Sequence, residues 1–151
     1  MKFEAFLDER GIRYEKHFHP VAYTAQGLAN VEHVSGYQVA KPVVVKCGAG
    51  FAMCAVAAPK QVDLKRVAEV LQEKDVRLAN EAEMATLFPD CELGAEPPVG
   101  TLFGLKTVID TRLKDDEFVV MQAGTHREAV KIRREDWERL CQPVVAPIAA
   151  S

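Results

Sequence analysis

Apolar residues recur along the chain in two rhythms, one helical and one alternating. Phe3, Phe6 and Leu7 fall at helical spacing, and Gly11 can close that helix in a left-handed cap. Arg13 to Phe18 alternates loosely and reads as a strand. Thr24 suits the N-cap of a second helix running from Ala25 to about Val34, with Leu28, Val31 and Val34 inward. The clearest β signal follows. Val39 to Cys47 and Phe51 to Ala58 are apolar runs joined by Gly48-Ala49-Gly50, a glycine-rich hairpin connection. Asp63 to Lys74 carries Leu64, Val67, Val70 and Leu71 on one helical face, with Asp63 as its cap. Arg77 to Ala79 reads as a short strand, and Asn80 caps a helix that ends near Phe88-Pro89.

Three glycines and two adjacent prolines make Leu93 to Gly104 a rigid loop. Strands are expected over Thr107–Asp110, Glu117–Gln122 and Glu128–Ile132, then a closing helix over Arg133–Cys141 with Trp137 and Leu140 inward. The tail PVVAPIAAS is expected to be frayed or loosely packed. Hairpins and βα units are interleaved, which argues against a purely parallel, doubly wound sheet. The expected class is mixed α/β (α+β), a single domain over residues 1–151. Its mixed sheet should be partly barrel-like, with helices packed outside.

The composition narrows the functional classes. Hydrophobic residues make up 48% and charged residues 27% of 151, the profile of a soluble globular domain. No apolar run approaches the roughly 18 residues of a membrane span. The start, MKFEAFLDERG, lacks a signal-peptide core, so a cytoplasmic address is expected. Cys47, Cys54, Cys91 and Cys141 form no C-x-x-C pair and read as small hydrophobes. A net charge of −3 is not the basic footprint of tight, sequence-blind nucleic-acid binding. DNA and membrane partners are therefore not expected.

Lys41 is the first candidate for chemistry. It lies in the apolar stretch VAKPVVVK, where Val39, Lys41, Val43 and Val45 share a strand face. Pro42 removes a ladder donor beside it, which marks an edge or a distortion. Either Lys41 projects into a cleft or it snorkels from an edge strand to water. Lys46 points to the other face, next to the turn, and reads as solvated. Gly94-Ala95-Glu96-Pro97-Pro98 is a stiff loop that can present backbone N–H groups to an anion, or simply connect two elements. Asp110 and Gly124-Thr125-His126 follow strands, where polar residues line sites or serve turns. His17 and His19 could share a strand face and bind a metal, but no third ligand is placed by spacing. Neither a G-x-S-x-G elbow nor a phosphate-binding G-x-x-x-x-G-K-[ST] loop occurs.

The segments YTAQGLA, VAKPVVVK, VAAPKQVDLKRVAEVL, ELGAEPPVG, TVIDTRL and VMQAGTHREAVKI, in this order, resemble the YbaK / prolyl-tRNA synthetase-associated editing-domain family. The resemblance runs roughly from Val21 to Leu140. It implies a mixed α/β fold and metal-independent, cofactor-free hydrolysis of mischarged aminoacyl-tRNA. By position it implies Lys41 and Gly94 as catalytic residues, Gly94 being the glycine of a G-x-x-x-P loop whose proline is Pro98. Asp110 and Gly124 match pocket positions, and Thr24, Thr125 and His126 join them as substrate-side candidates. One departure is clear: the residue after the lysine is commonly Thr, Ser or Asn, and here it is Pro42.

An aminoacyl ester is already activated, so placing water and stabilising an oxyanion can suffice without a Ser or Cys nucleophile. Lys41 is expected to stay protonated and to pair with the terminal phosphate or polarise the ester carbonyl. Backbone N–H groups near Gly94 and Gly124 are expected to hold the oxyanion. The chain lacks a synthetase catalytic domain, so editing would act in trans on tRNA bound weakly or transiently, with a synthetase or elongation factor as a further partner. The expected substrate is a small amino acid, because Val, Ala and Pro dominate the pocket segments. Two other readings stand beside this one: a non-catalytic module for tRNA or aminoacyl-adenosine, and a small metal-dependent hydrolase using His17, His19 and an acid.

Overall fold

The computed structural model of the protein describes residues 2–48, 50–113 and 117–150. Ala49 of the hairpin connection and Ser151 of the tail lie outside them. Five helices are described: α1 (Lys2–Glu9), α2 (Ala25–Glu32), α3 (Leu64–Leu71), α4 (Glu81–Leu87) and α5 (Arg134–Cys141). Eight strands accompany them: β1 (Tyr14–Phe18), β2 (Ala40–Cys47), β3 (Gly50–Ala57), β4 (Val76–Leu78), β5 (Lys106–Asp110), β6 (Phe118–Gln122), β7 (Glu128–Arg133) and β8 (Val144–Ala146).

The strands form two sheets, ordered β1-β7-β6 and β4-β2-β3-β5-β8. In the larger sheet β2 pairs antiparallel with β3 and β4, whereas β5 runs parallel to β3 and β8. The sheet is mixed, as the interleaved pattern predicts, and β2 and β3 are the expected antiparallel neighbours, with Lys41 opposite Val56. The barrel-like curl is not realised. A single parallel bridge between Val39 and Val120 joins the two sheets, and they do not close.

Local chemistry ends the helices earlier than apolar periodicity suggests. Thr24 accepts the N–H of Gly27 at 2.9 Å and starts α2, while His33 stops it in the left-handed conformation with its N–H turned to Ala29 and Asn30. Gln72 does the same for α3. Asn80 and Glu83 close a capping box on α4.

The main core lies where α1 and α5 cover the strands: Phe3, Leu7, Ile109, Met121, Ile132 and Trp137 are all buried there. A second core lies under α3, where Val67 meets Val45, Val108 and Ile148. Ile148 corrects the expectation of a loose tail. β8 adds to the edge of β5, and Ile148 and Ala149 are wholly buried. Asp110 is the reason: its Oδ1 accepts the backbone N–H groups of Ile148 and Ala149 at 2.9 and 3.2 Å. Cys54 and Cys141 are buried, and burial pushes both thiols up to about 12, so they behave as hydrophobes.

Candidate active site

Strand β2 is covered unevenly. β4 pairs only with Val45, Lys46 and Cys47. The carbonyl of Val44 faces that side, where it accepts the N–H of Ala79 at 2.9 Å. Alternation then turns the nitrogen of Pro42 toward the same side, beyond the end of β4. A proline there forfeits no bond to β4. The uncovered stretch opens onto a cavity of about 400 Å³, within the range of small-molecule sites. Its walls come from β2 (Ala40, Lys41, Pro42), α4 (Glu81, Met84), the loop after α4 (Leu93, Gly94, Glu96), Gln122 at the end of β6, and Ala25 at the start of α2.

Lys41 is half-buried in this wall. Its ammonium donates to the carbonyl of Ala58 at 3.2 Å and to that of Lys60. Among the described residues it has no carboxylate partner, and desolvation lowers its pKa from the ordinary lysine value. An ammonium carries three N–H donors. Two are held by carbonyls, and the third has no partner among the described residues.

The loop facing Lys41 is fastened to the β6–β7 turn by backbone. Gly124 donates to the carbonyl of Ala95 at 2.8 Å, and Glu92 donates to the carbonyl of Gly124 at 2.8 Å. His126 completes the join: its N–H donates to the Glu92 carboxylate at 2.7 Å, and its Nε2 lies 2.8 Å from the carbonyl of Leu93. Gly94 sits at φ +88°, a conformation that favours glycine. The turn and loop therefore form one unit.

Residues 19–140 match the family model of the aminoacyl-tRNA editing domain. The chain belongs to the aminoacyl-tRNA editing domain family. A crystal structure of a hypothetical protein has the same fold, with a TM-score of 0.89 at 21% identity over 99% of this chain and 100% of that one. So does a proposed trans-editing enzyme for prolyl-tRNA synthetase, with a TM-score of 0.86 at 21% identity over 99% and 96%. A proposed signal transduction protein from Marinobacter aquaeolei VT8 contains the fold in 30% of its length, with a TM-score of 0.78 at 16% identity over 99% of this chain. No match is found among curated proteins.

Within this editing domain the anticipated site residues are distributed unevenly. Lys41 and Gly94 line one cavity. Gly124 and His126 brace its loop from behind, and the hydroxyl of Thr24 is engaged as the cap beside lining residue Ala25. Thr125 donates to Glu128 at 2.8 Å and accepts from Arg127 at 3.2 Å, so its hydroxyl serves the turn. The carbonyl of Pro98 accepts the indole N–H of Trp137 at 3.0 Å, which ties the loop to α5. Asp110 is fully buried, holds the tail and is not a lining residue.

The expected oxyanion donors are also occupied. Gly94 N–H goes to the Glu96 carboxylate at 3.1 Å, and Gly124 N–H goes to Ala95. His17 is engaged by Glu32 and Glu15, and His19 Nδ1 lies 2.7 Å from the Pro20 carbonyl. Among the described residues no cluster of three His, Cys, Asp or Glu side chains is arranged to hold a metal ion.

Three polar residues of the wall, Glu81, Glu96 and Gln122, were not anticipated, and two of them are buried. Glu96 and Gln122 are 2% and 3% exposed, and both line the cavity. The available signal was a single polar residue within each of two apolar segments, GAEPPV and FVVMQ.

Proposed function

We propose that this editing domain is a trans-acting deacylase that hydrolyses the ester joining a small amino acid to a mischarged tRNA. The observation that carries the reading is Lys41, a half-buried cation with one unused donor in the wall of a cavity of about 400 Å³. That donor polarises the ester carbonyl or pairs with the terminal phosphate. Water adds to the carbonyl carbon, the bond from that carbon to the ribose oxygen breaks, and the free amino acid and the tRNA hydroxyl leave. A cation already fixed by two carbonyls stabilises developing negative charge with little reorganisation.

The small-substrate part of the reading rests on the apolar lining, Ala25, Val39, Ala40, Pro42 and Met84. Such a wall separates one methylene by only about 1–3 kcal/mol, so several small residues should be accepted. The acidic balance of the chain, net −3, fits transient rather than tight association with tRNA.

The test is a deacylation panel. Purified protein is mixed with alanyl-, seryl- and threonyl-tRNA, with an aromatic aminoacyl-tRNA, and with tRNA-free aminoacyl esters. Hydrolysis of one or more of the small set is the expected result. Efficient turnover of the aromatic substrate alone, or of none, overturns the reading.

A further inference from the structure

Two polar side chains of the cavity wall, Glu96 and Gln122, are almost wholly buried. Glu96 is buried, and its carboxylate accepts the N–H of Gly94 at 3.1 Å. Among the described residues no Lys, Arg or His forms an ion pair with it. Burial raises its pKa above the ordinary carboxylate range, against smaller opposing effects of its backbone hydrogen bonds and of nearby His126.

Gln122 shows the same want. Its Nε2 donates to the carbonyl of Ala22 at 3.0 Å, and its Oε1, buried, has no partner. Rotating the amide by half a turn would set oxygen against oxygen, so the chemistry dictates this orientation. The bond from Gly124 to Ala95 joins the two segments one residue from Glu96 and two from Gln122. Lys41 does not fill the gap, because its ammonium is held by the carbonyls of Ala58 and Lys60.

We propose that Glu96 and Gln122 form a cation subsite for the α-ammonium of the aminoacyl group, which makes the site selective for substrates whose amine is free. This rests on the deacylase reading above. A carboxylate and an amide oxygen complement the three N–H donors of an ammonium. In an aminoacyl ester only the α-carbon separates that ammonium from the ester carbonyl carbon. A pocket with a cation in one wall and an anion in another orients both ends of this unit. An N-acylated aminoacyl group has no charge there and offers a single donor. Peptidyl-tRNA and other N-blocked species are thereby rejected, because they leave Glu96 buried and unpaired.

Two measurements test this separately from the deacylase reading. Calorimetry compares 3′-alanylamino-3′-deoxyadenosine, which cannot be hydrolysed, with its N-acetyl derivative. Single-turnover assays compare alanyl-tRNA with N-acetyl-alanyl-tRNA. The wild-type protein should prefer the free amine by about 10–100-fold in both, the scale of a hydrogen bond to a charged group.

Glu96→Gln should erase most of that preference, by weakening the free-amine ligand and relieving the penalty on the N-acetyl ligand. Gln122→Met should reduce it in the same direction, and thermal melting checks that both variants fold. Equal handling of the two amine states by the wild type overturns the proposal, as does full discrimination in folded Glu96→Gln. If the free-amine analogue binds selectively but no aminoacyl-tRNA is turned over, the deacylase reading falls and the subsite stands. Turnover without discrimination has the opposite meaning. Absence of both binding and turnover overturns both.

Discussion

Asp110 Oδ1 accepts the backbone N–H of Ile148 at 2.9 Å, and through this contact the end of β5 determines the course of the last residues of the chain. The same oxygen takes the N–H of Ala149, so one buried carboxylate satisfies two donors that would otherwise be stranded. Removing it by Asp110→Ala should cost about 2–4 kcal/mol, since each unsatisfied buried donor carries a penalty of its own. Asp110→Asn keeps an acceptor and should cost less. Urea denaturation of both variants measures the difference, and equal stabilities would show that the tail is held by its apolar contacts alone.

Lys41→Ala should lower single-turnover deacylation on the order of 10²-fold or more, the scale for loss of an electrostatic stabiliser. Its melting temperature should change little, because a desolvated ammonium contributes little to packing. Lys46→Ala is the control. Lys46 donates to the carbonyl of Gly48 at 3.1 Å and does not line the cavity. Wild-type activity in Lys41→Ala, or parallel losses with lowered melting in both, would remove the proposed role.

Glu96 should make stability depend on pH. Burial raises its folded-state pKa above the ordinary value of 4.5, so between the two values the folded chain binds more protons than the unfolded one. Stability from this group is therefore present below 4.5 and falls as pH rises through the raised pKa. Glu96→Gln removes the titration. It should match wild type in acid and melt at a higher temperature near neutral pH. Thermal scans from acid to neutral pH give the comparison, and a variant less stable at neutral pH contradicts the expected sign.

Gly100 is closed to any side chain. A Cβ there would lie 2.6 Å from the backbone carbonyl oxygen of Leu105, which no rotamer change can relieve. Gly100→Ala should destabilise by about 1–3 kcal/mol or more, the range for overpacking. The strain should spread to the adjoining Pro98–Trp137 contact. Chemical denaturation with near-ultraviolet circular dichroism of Trp137 reads both effects, and an unshifted midpoint would show that the turn yields freely.

Periodicity and capping chemistry were enough for most of the elements. The β2–β3 hairpin follows from two valine- and alanine-rich runs around a glycine connection, and the starts of α2, α3 and α4 follow from Thr24, Asp63 and Asn80. These features are local: each depends on neighbours within a turn of helix or across one tight connection. Lys41 was legible for the same reason, as a charge within an apolar strand that required a cleft or an exit to water.

The tertiary structure alone decided what each polar group meets. Asp110 and Glu96 are both acids in largely apolar segments, yet one is satisfied by tail N–H groups 38 and 39 residues away while the other faces the cavity without a counter-ion. The N–H of Gly124, expected to hold an oxyanion, is taken up by the carbonyl of Ala95. The tail, proline-punctuated and without helical or alternating periodicity, becomes a strand because β5 offers it an edge and Asp110 an acceptor. Partners distant in sequence leave no periodic trace, so burial and hydrogen bonding between them emerge only when the sheets assemble.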